Sequence, residues 1–342
     1  MSLKNLNAKI KVPKILNVYL RNKKINQIYL KFEKSLKINE NFIVAVSGGP
    51  DSLALAFLSK IYSIKKGVDV KYLIIDHKLR PESTSEAKKV QQILKKKLIK
   101  SQILSWKGKK PSSNIQSIAR KKRYELLCAS SKNLKSNNIL LGHHEDDLIE
   151  NFFIRLIRGS GLKGLVSLSG KKSNGNINLL RPLINEKKDT LTYISKKVFN
   201  FYVKDPSNEN EKFLRVGVRK LLNELTKFGL DKDKMIKTIN NLKTSNDVVN
   251  FYVSENLKKN TFFSTKKNQL IINKAFFEQP YEVIFRSISD SLKFVGKKYY
   301  PPRGKKLDVI VEKIRKKQLI NETLAGCIVK KVNGTVIISK ER

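Results

Sequence analysis

The feature that most constrains the fold is a glycine turn between an apolar run and a helical pattern. FIVAV at 42–46 leads directly into SGGPDS at 47–52, and apolar residues at helical spacing follow. A short apolar run that ends at glycines is typical of a core strand, and Ser or Asp before a helical pattern is typical of a helix N-terminus. Free backbone N–H groups and the positive end of the helix dipole then meet at one point. The hexapeptide therefore predicts a phosphate site, although a glycine turn that binds nothing is the alternative.

Strand-like and helix-like segments alternate through the first two thirds of the chain. Apolar runs occur at 42–46, 70–76, 102–106, 137–142 and 177–183, and helical spacing occurs at 52–65, 83–100, 113–135 and 145–158. This alternation predicts an α/β domain with a doubly wound, mostly parallel sheet, whose ligands bind at the carboxyl ends of the strands.

The pattern changes after about residue 228 to long polar helices and then to short strands at 269–274 and 335–340, with a loop at 299–306. This change predicts a smaller C-terminal α+β domain. The first 32 residues contain no acid and many Lys. We therefore expect a loose basic arm at 1–24, a catalytic domain at 25–228 and a second domain at 229–342.

The chain is strongly basic, with 71 Lys and Arg against 29 Asp and Glu and a formal net charge of +42. Such a charge favours a polyanionic partner such as nucleic acid, although an AT-rich genome would also enrich Lys together with Asn and Ile. Residues 88–123 carry 13 basic side chains and no acid, and only 13 of the 71 basic residues are Arg. A retained Arg indicates a need for its planar, bidentate fork. Eight of them lie in the segments described here or shortly after the last one: Arg80, Arg120, Arg123, Arg155, Arg158, Arg181, Arg215 and Arg219.

The lengths of the hydrophobic runs and the spacing of the cysteines indicate the cellular compartment. No stretch reaches the ~18 consecutive apolar residues of a membrane-spanning helix. Cys128 and Cys327 form no C-x-x-C pair, which argues against a disulfide framework and a zinc ribbon. We therefore expect a protein of the reducing cytoplasm with no membrane partner.

Two polar segments follow the predicted strands. IDHKLRPES at 75–83 ends the second strand with Asp76, His77 and Arg80, which either border a nucleotide or RNA or only cap the next helix. NIQSIARKKRYELL at 114–127 places Arg120 and Arg123 on one helical face. That face contacts RNA or is simply solvated.

The richest segment is GHHEDDLIENFFIRLIRGSGLKGL at 142–165. His143 and Asp147 share one helical face, as do Asp146 and Glu150, because each pair is four residues apart. Two His beside carboxylates could bind a transition metal, but no further Cys or His lies nearby to complete a zinc shell. Arg155 and Arg158 continue the helix, and the following Gly-Ser-Gly is typical of a C-cap.

Together these motifs resemble the bacterial tRNA(Ile)-lysidine synthases, which belong to the PP-loop, or N-type ATP pyrophosphatase, superfamily. The hexapeptide lacks the G-K-[ST] ending of a Walker A loop. Seven segments match in order: 47–52, 76–83, 114–120, 142–150, 158–165, 181–183 and 205–208. PPRGKKL and TLAGC near the C-terminus match the family's appended domain. Leu148 departs from a frequent Gln, and Val216 departs from a frequent Asn.

The resemblance implies a ligase with the fold of the adenine nucleotide alpha hydrolases. Its members use ATP to adenylate the wobble cytidine of a CAU-anticodon tRNA(Ile), and the amine of free L-lysine then displaces AMP to give lysidine. The products include AMP and pyrophosphate, and the decoded codon changes from AUG to AUA. ATP and Mg²⁺ are the implied cofactors, the C-terminal domain is the implied tRNA-binding domain, and a homodimer is compatible with the resemblance.

The resemblance also implies roles for particular residues. Catalytic roles fall to Asp51, His143, Asp147, Glu150 and Arg158. Nucleotide binding falls to Ser47, Gly48, Gly49, Pro50, Asp51, Ser52, Asp76 and His77, with Asp51 also as the Mg²⁺ ligand. Substrate binding falls to Arg80, Arg120, Asp146, Asp147, Arg155 and Arg215, and Asp147 is the preferred partner of the lysine ammonium group.

Three other functions fit the sequence less well. A tRNA thiolase would bring C-x-x-C cysteines, which this sequence lacks. An amidotransferase or NAD synthetase shares SGGxDS but does not explain GHHEDD or RGSG. A catalytically inactive RNA-binding module is opposed by the intact Ser47, Asp51 and Ser52.

Overall fold

A computed structural model describes residues 12–108, 111, 113, 115–134, 136–174, 176–204, 214–298, 302 and 304–341. The chain divides into two compact units, Met1–Ile239 and Asn240–Arg342. This division falls within helix α10 (Lys232–Asn260), whereas the sequence places the boundary just before that helix, at the turn around residue 228. The sequence shows the turn, but it does not show that the first unit extends to Ile239.

The first unit combines a mixed sheet with helices. Its strands are β1 Phe42–Val46, β2 Val70–Asp76, β3 Ser101–Ser105, β4 Asn138–Leu140, β5 Lys171–Asn174 and β6 Ile177–Leu180. Its helices are α1 Lys14–Leu20, α2 Lys23–Leu36, α3 Pro50–Lys66, α4 Ser83–Lys95, α5 Ile115–Asn133, α6 Glu145–Ile157, α7 Leu162–Leu165, α8 Lys188–Phe199 and α9 Leu214–Lys227.

The strand order β3-β2-β1-β4-β6-β5 confirms the predicted doubly wound sheet. The first five of these strands pair in parallel, and only β5 is antiparallel to its neighbour. From β1 the chain builds outward through β2 and β3, then returns to the other side of β1 with β4. The order therefore reverses between β1 and β4, and open α/β sheets bind their ligands at this reversal point.

The expectation of a loose arm at 1–24 is wrong for the described residues from 12 onward. They form α1 and the start of α2, and Leu16 is fully buried. The ring of Tyr19 meets Phe57 edge to face at 5.8 Å between centroids. The expectation relied on the acid-free, Lys-rich composition and overlooked the apolar residues at helical spacing. These residues pack on the core, while the Lys side chains face solvent.

The second unit is an antiparallel sheet with helices, as the α+β prediction requires. Its strands are β7 Thr261–Ser264, β8 Gln269–Ile272, β9 Asn321–Leu324, β10 Cys327–Val332 and β11 Thr335–Lys340, in the order β7-β8-β11-β10-β9. It also contains α11 Tyr281–Val295, α12 Gly304–Arg315 and a 3-10 helix, Lys274–Glu278. No helix in the described part of the chain is long and apolar enough to cross a membrane.

Candidate active site

The predicted phosphate loop connects β1 to α3 as the sequence indicates. Gly48 has φ +87°, and a Cβ there would lie 2.7 Å from Val90 Cγ2 and 2.9 Å from Val203 Cγ2. Only glycine fits this left-handed, crowded position. The Ser52 hydroxyl accepts the N–H groups of Ser47 and Gly48, both at 3.1 Å, and donates to the Gly49 carbonyl. Ser52 is buried and holds the loop in shape.

Asp51 occupies the first turn of α3, where its carboxylate is largely buried. Its Oδ2 lies 3.6 Å from His144 Nε2, and its Oδ1 is buried without a hydrogen-bond partner among the described residues. Burial raises the pKa of Asp51, and the nearby Asp147 adds to the rise, although His144 opposes it. The absence of a side chain at Gly142 allows the segment after β4 to pack closely against the start of α3. A Cβ on Gly142 would lie 3.1 Å from the backbone of Asp51 and Ser52. The end of β1 and the end of β4 therefore meet at Asp51.

Two histidines lie between β4 and α6, and their environments differ. His144 caps the helix: its backbone N–H donates to Asp147 Oδ2 at 3.0 Å, and its Nε2 lies 3.7 Å from the same oxygen. Burial lowers the pKa of His143 well below its ordinary value, and the positive charges of Arg181 and Arg120 lower it further, although Asp147 opposes this. His143 is therefore neutral at physiological pH.

Two of the three predicted carboxylates of α6 are engaged by arginines of α9. Arg215 donates to Asp147 Oδ1 at 2.7 Å and to Glu150 Oε2 at 2.5 Å, and Arg219 donates to Glu150 Oε1 at 2.6 Å. Burial disfavours the charge on Asp147, but His144, Arg215 and His143 together hold its pKa below the ordinary value. Glu150 is 4% exposed. These ion pairs connect α9 to α6. They also occupy carboxylate oxygens of both Asp147 and Glu150.

Asp146 is the exception among these carboxylates. Its Oδ1 lies 2.9 Å from the Nζ atom of Lys232, and its side chain is 25% exposed. An ammonium group is therefore held at Asp146 in the structure, whereas Asp147 and Glu150 hold guanidinium groups.

The residues predicted at the end of β2 have well-defined protein partners. Asp76 is buried, and it accepts hydrogen bonds from the Lys78 backbone and from the hydroxyls of Ser83 and Thr84. Burial opposes its ionisation, but these bonds hold the pKa of Asp76 below the ordinary value. For Asp76 the geometry favours the helix-anchoring alternative over contact with a nucleotide.

The remaining predicted residues occupy half-buried or exposed positions. His77 Nε2 accepts from Arg123 at 3.2–3.3 Å, and Arg80 pairs with Glu86 at 3.0 Å. Arg120 lies over the Tyr124 ring, 5.2 Å from its centroid. Arg155 is half-buried near the end of α6, and Arg158 is exposed just after it.

Sequence reasoning did not single out three residues that the structure places at the site. His144 and Arg181 lie in quoted motifs, and Arg181 and Arg219 are among the retained arginines, but the sequence indicated no specific role for any of the three. The doubled histidine after an apolar strand was the available signal for His144. Asn114 and the segment 205–208, which belong to the predicted motifs, lie outside the described residues.

The arrangement fits a magnesium ion only with help from a ligand. Carboxylate oxygen is a donor that Mg²⁺ prefers, and the ion usually binds one or two carboxylates together with substrate phosphates. The unpartnered, buried Oδ1 of Asp51 suits this role. Within the described residues no group of three His, Cys, Asp or Glu could hold a metal.

Comparisons with known proteins agree with this geometry. A family model described as a PP-loop domain matches residues 20–225. The tRNA(Ile)-lysidine synthase of Orientia tsutsugamushi (strain Boryong) is 34% identical over an alignment of 316 residues that covers 89% of this chain and 70% of that protein. The synthase of Wolbachia sp. subsp. Brugia malayi (strain TRS) is 32% identical over 316 residues, 89% of this chain and 71% of that protein.

A solved structure shares the fold of the chain. The U34-tRNA thiolase NcsA from Methanococcus maripaludis aligns with a TM-score of 0.55 at 20% identity, over 64% of this chain and 79% of its own. The phosphate loop, its position at the reversal point of the sheet and the similarity to these synthases are consistent with one family. This chain belongs to the tRNA(Ile)-lysidine synthase family of PP-loop proteins.

Proposed function

We propose that the protein is a ligase that converts the wobble cytidine of a CAU-anticodon tRNA(Ile) into lysidine. The C2 oxygen of the base forms a bond to the α-phosphorus of ATP as the bond to pyrophosphate breaks. The amine of free lysine then forms a bond to C2, AMP leaves, and the amine loses its proton. The observation that carries the proposal is the largely buried carboxylate of Asp51, whose Oδ1 is buried without a partner, beside a phosphate loop at the reversal point of the sheet.

The nucleotide is assigned to the β1 end of the site. The loop at 47–52 and the N-terminus of α3 would bind the phosphates, since an α-helix N-terminus favours anions. Asp51 would hold Mg²⁺, which would neutralise charge on the departing pyrophosphate. Ser52 acts on this step indirectly, because its hydroxyl holds the Ser47 and Gly48 backbone in place.

The lysine ammonium group is assigned to Asp146 rather than to Asp147 or Glu150. Asp146 already binds the ammonium of Lys232 in the structure, so a free lysine would replace one ammonium group by another. Asp147 and Glu150 would have to give up charge-assisted hydrogen bonds with Arg215 and Arg219. We therefore assign Asp147, Glu150 and Arg215 to positioning α6, together with His144.

His143 is assigned to hydrogen bonding rather than to proton abstraction. A general base works best when its pKa lies near the working pH. The pKa of His143 is far below that range because the side chain is buried near arginines. A neutral imidazole can still donate and accept hydrogen bonds at the same time, which suits orientation of the base or of the incoming amine.

Transfer of radiolabelled lysine tests the proposal. The protein would be incubated with ATP, Mg²⁺, labelled lysine and a CAU-anticodon tRNA(Ile) transcript, with CAU-anticodon methionine tRNA as the control. We expect label in the isoleucine tRNA alone and pyrophosphate release that depends on tRNA. Binding of tRNA without pyrophosphate release would instead indicate an inactive RNA-binding module. In a parallel reaction that also contains a sulfide donor, sulfur incorporation without lysine incorporation would indicate a thiolase.

A further inference from the structure

Arg181 follows strand β6 and is almost fully buried, yet it has no counterion. Its side chain is 4% exposed, its Nη1 donates to the Ser169 carbonyl at 2.8 Å, and its Nε is buried without an acceptor. No carboxylate within the described ranges lies at ion-pair distance from it. A charged guanidinium in this position is largely removed from solvent, and the negative charge of Asp147 acts on it without forming an ion pair.

Other buried or half-buried arginines show what this residue lacks. Arg286 in the second unit is 2% exposed, and its Nε donates to Glu282 at 2.7 Å. Arg215 and Arg219 are paired with Asp147 and Glu150. Buried charges in proteins are normally paired, because the loss of hydration is costly unless an opposite charge is close. Arg181 departs from this pattern, and a bound anion would restore it.

A second cation lies close to Arg181. Arg120 donates from Nη2 to the Tyr124 hydroxyl at 3.2 Å, and Tyr124 also interacts with Arg181. Burial lowers the pKa of Arg181, and the charge of Arg120 lowers it further, although Tyr124 opposes this. Both guanidinium groups also act on His143. The structure therefore gathers two arginines without ion pairs beside His143 of the candidate site.

The topology places this pair on the side of β4 away from the phosphate loop. Strand β4 lies between β1, which leads into the loop, and β6, which leads into Arg181. A reactant at the end of β4 would have the nucleotide on one side and Arg181 on the other. Because Arg181 is so little exposed, a small carboxylate suits it better than the backbone phosphate of a folded tRNA.

We propose that Arg181, assisted by Arg120 and Tyr124, binds the α-carboxylate of free lysine. This assignment rests on the proposed function. Guanidinium binds carboxylate through two parallel hydrogen bonds in a fixed geometry, so it would select a free amino acid over an amine. With Asp146 as the ammonium partner, the site would offer a partner for each kind of charge on the amino acid.

The test compares lysine with lysinamide, in which a neutral amide replaces the carboxylate. For the parental protein we expect a KM for lysinamide about 10- to 100-fold above that for lysine, which is the range of a charge-assisted hydrogen bond. Arg181→Gln should raise the KM for lysine by a similar factor and leave the KM for lysinamide unchanged. Arg181→Lys should recover part of the loss. Pyrophosphate release without lysine should stay at the parental rate in both variants.

Several results would overturn the assignment. Equal use of lysine and lysinamide by the parental protein would exclude a carboxylate contact without any variant. An equal rise in both KM values in Arg181→Gln would reduce Arg181 to a support for the Ser169 loop. A fall in lysine-independent pyrophosphate release would move the anion to a phosphate of ATP or tRNA.

Two controls separate a loss of folding from a loss of lysine binding. Urea unfolding followed by the fluorescence of Trp106, the single tryptophan of the chain, reports on the first unit. If Arg181→Gln does not fold, the exposed Arg120→Gln serves as the second variant and should narrow the difference between lysine and lysinamide; an unchanged difference would contradict the proposal. Absence of lysine transfer by the parental protein would instead refute the proposed function.

Discussion

At the scale of single residues, the site contains charges whose positions cost stability. Asp51 is a carboxylate whose pKa is raised mainly by burial, so the folded protein must bear the cost of ionising it. Ser52 and Asp76, by contrast, use their oxygens to hold neighbouring backbone and hydroxyl groups. A motif residue is therefore a good candidate for ligand contact when its polar atoms lack protein partners, and a poorer one when they do not.

Asp51→Asn tests this distinction. We expect pyrophosphate release to fall by roughly 10²–10³, the usual cost of losing a well-placed electrostatic group, while tRNA binding stays close to the parental affinity. The urea midpoint should stay the same or rise, because the variant removes a poorly solvated charge. Asp69→Asn, at an exposed position of the same unit, is the matched control. Adenylation at the parental rate in Asp51→Asn would show that the loop assignment is wrong.

His143 gives a prediction about pH. Its pKa is depressed in the folded protein, so between the unfolded value near 6.5 and the lower folded value the unfolded chain binds the additional proton. Stability should therefore fall as the pH drops below about 6.5, by up to about 1.4 kcal/mol per pH unit for this group. Urea titrations of the metal-free protein from pH 7 to 5 should show a shallower decline in His143→Gln than in the parental protein. Parallel curves would mean that His143 is not held neutral.

At the scale of elements, the phosphate loop depends on one glycine more than on the next. Gly48→Ala would place a methyl group against Val90 and Val203 at a φ of +87°. Left-handed strain costs roughly 1–2 kcal/mol, and overpacking costs typically 1–3 kcal/mol, so the urea midpoint and pyrophosphate release should both fall. Gly49 has φ −68°, and its nearest neighbour to a new Cβ is Ser47 Oγ at 3.7 Å. Gly49→Ala should therefore unfold at nearly the parental urea concentration; equal losses in both variants would contradict this reading of the loop.

The core elements were predictable from the sequence because periodicity reports burial. β1 and β2 occupy the predicted residues, and β3 differs by one residue at each end. Helix α4 ends earlier than the predicted residue 100, because the chain turns through Leu98 at φ +59°. Strand β5 was missed because KKSN has no apolar residue and forms only by pairing with β6. The site was predictable where motifs lie at strand ends, but the Arg215–Glu150–Arg219 network required contacts between distant helices that spacing cannot show.

At the scale of the whole molecule, the net charge of +42 bears on tRNA affinity rather than on chemistry. Counterion release makes log affinity fall linearly with log salt, with a slope set by the number of phosphates contacted. The acid-free run at 88–123 is the candidate footprint, and within it Lys95 and Lys96 are exposed. Lys97 is less suitable for a test, because its Nζ donates to the Tyr19 hydroxyl at 2.6 Å.

Reversing Lys95 and Lys96 to Glu should weaken tRNA binding and shallow the salt slope by about 1 to 2 units, because each phosphate contact contributes close to one unit. ATP binding should not change, since the nucleotide is assigned to the loop at the end of β1. The matched control reverses Lys31 and Lys34, which are exposed on α2 outside the run and should leave the slope as it is. If both double variants shallow the slope equally, the positive charge acts as a general field around the molecule. An unchanged slope in Lys95→Glu/Lys96→Glu alone would mean that this end of α4 is a solvated surface and that the phosphates bind elsewhere.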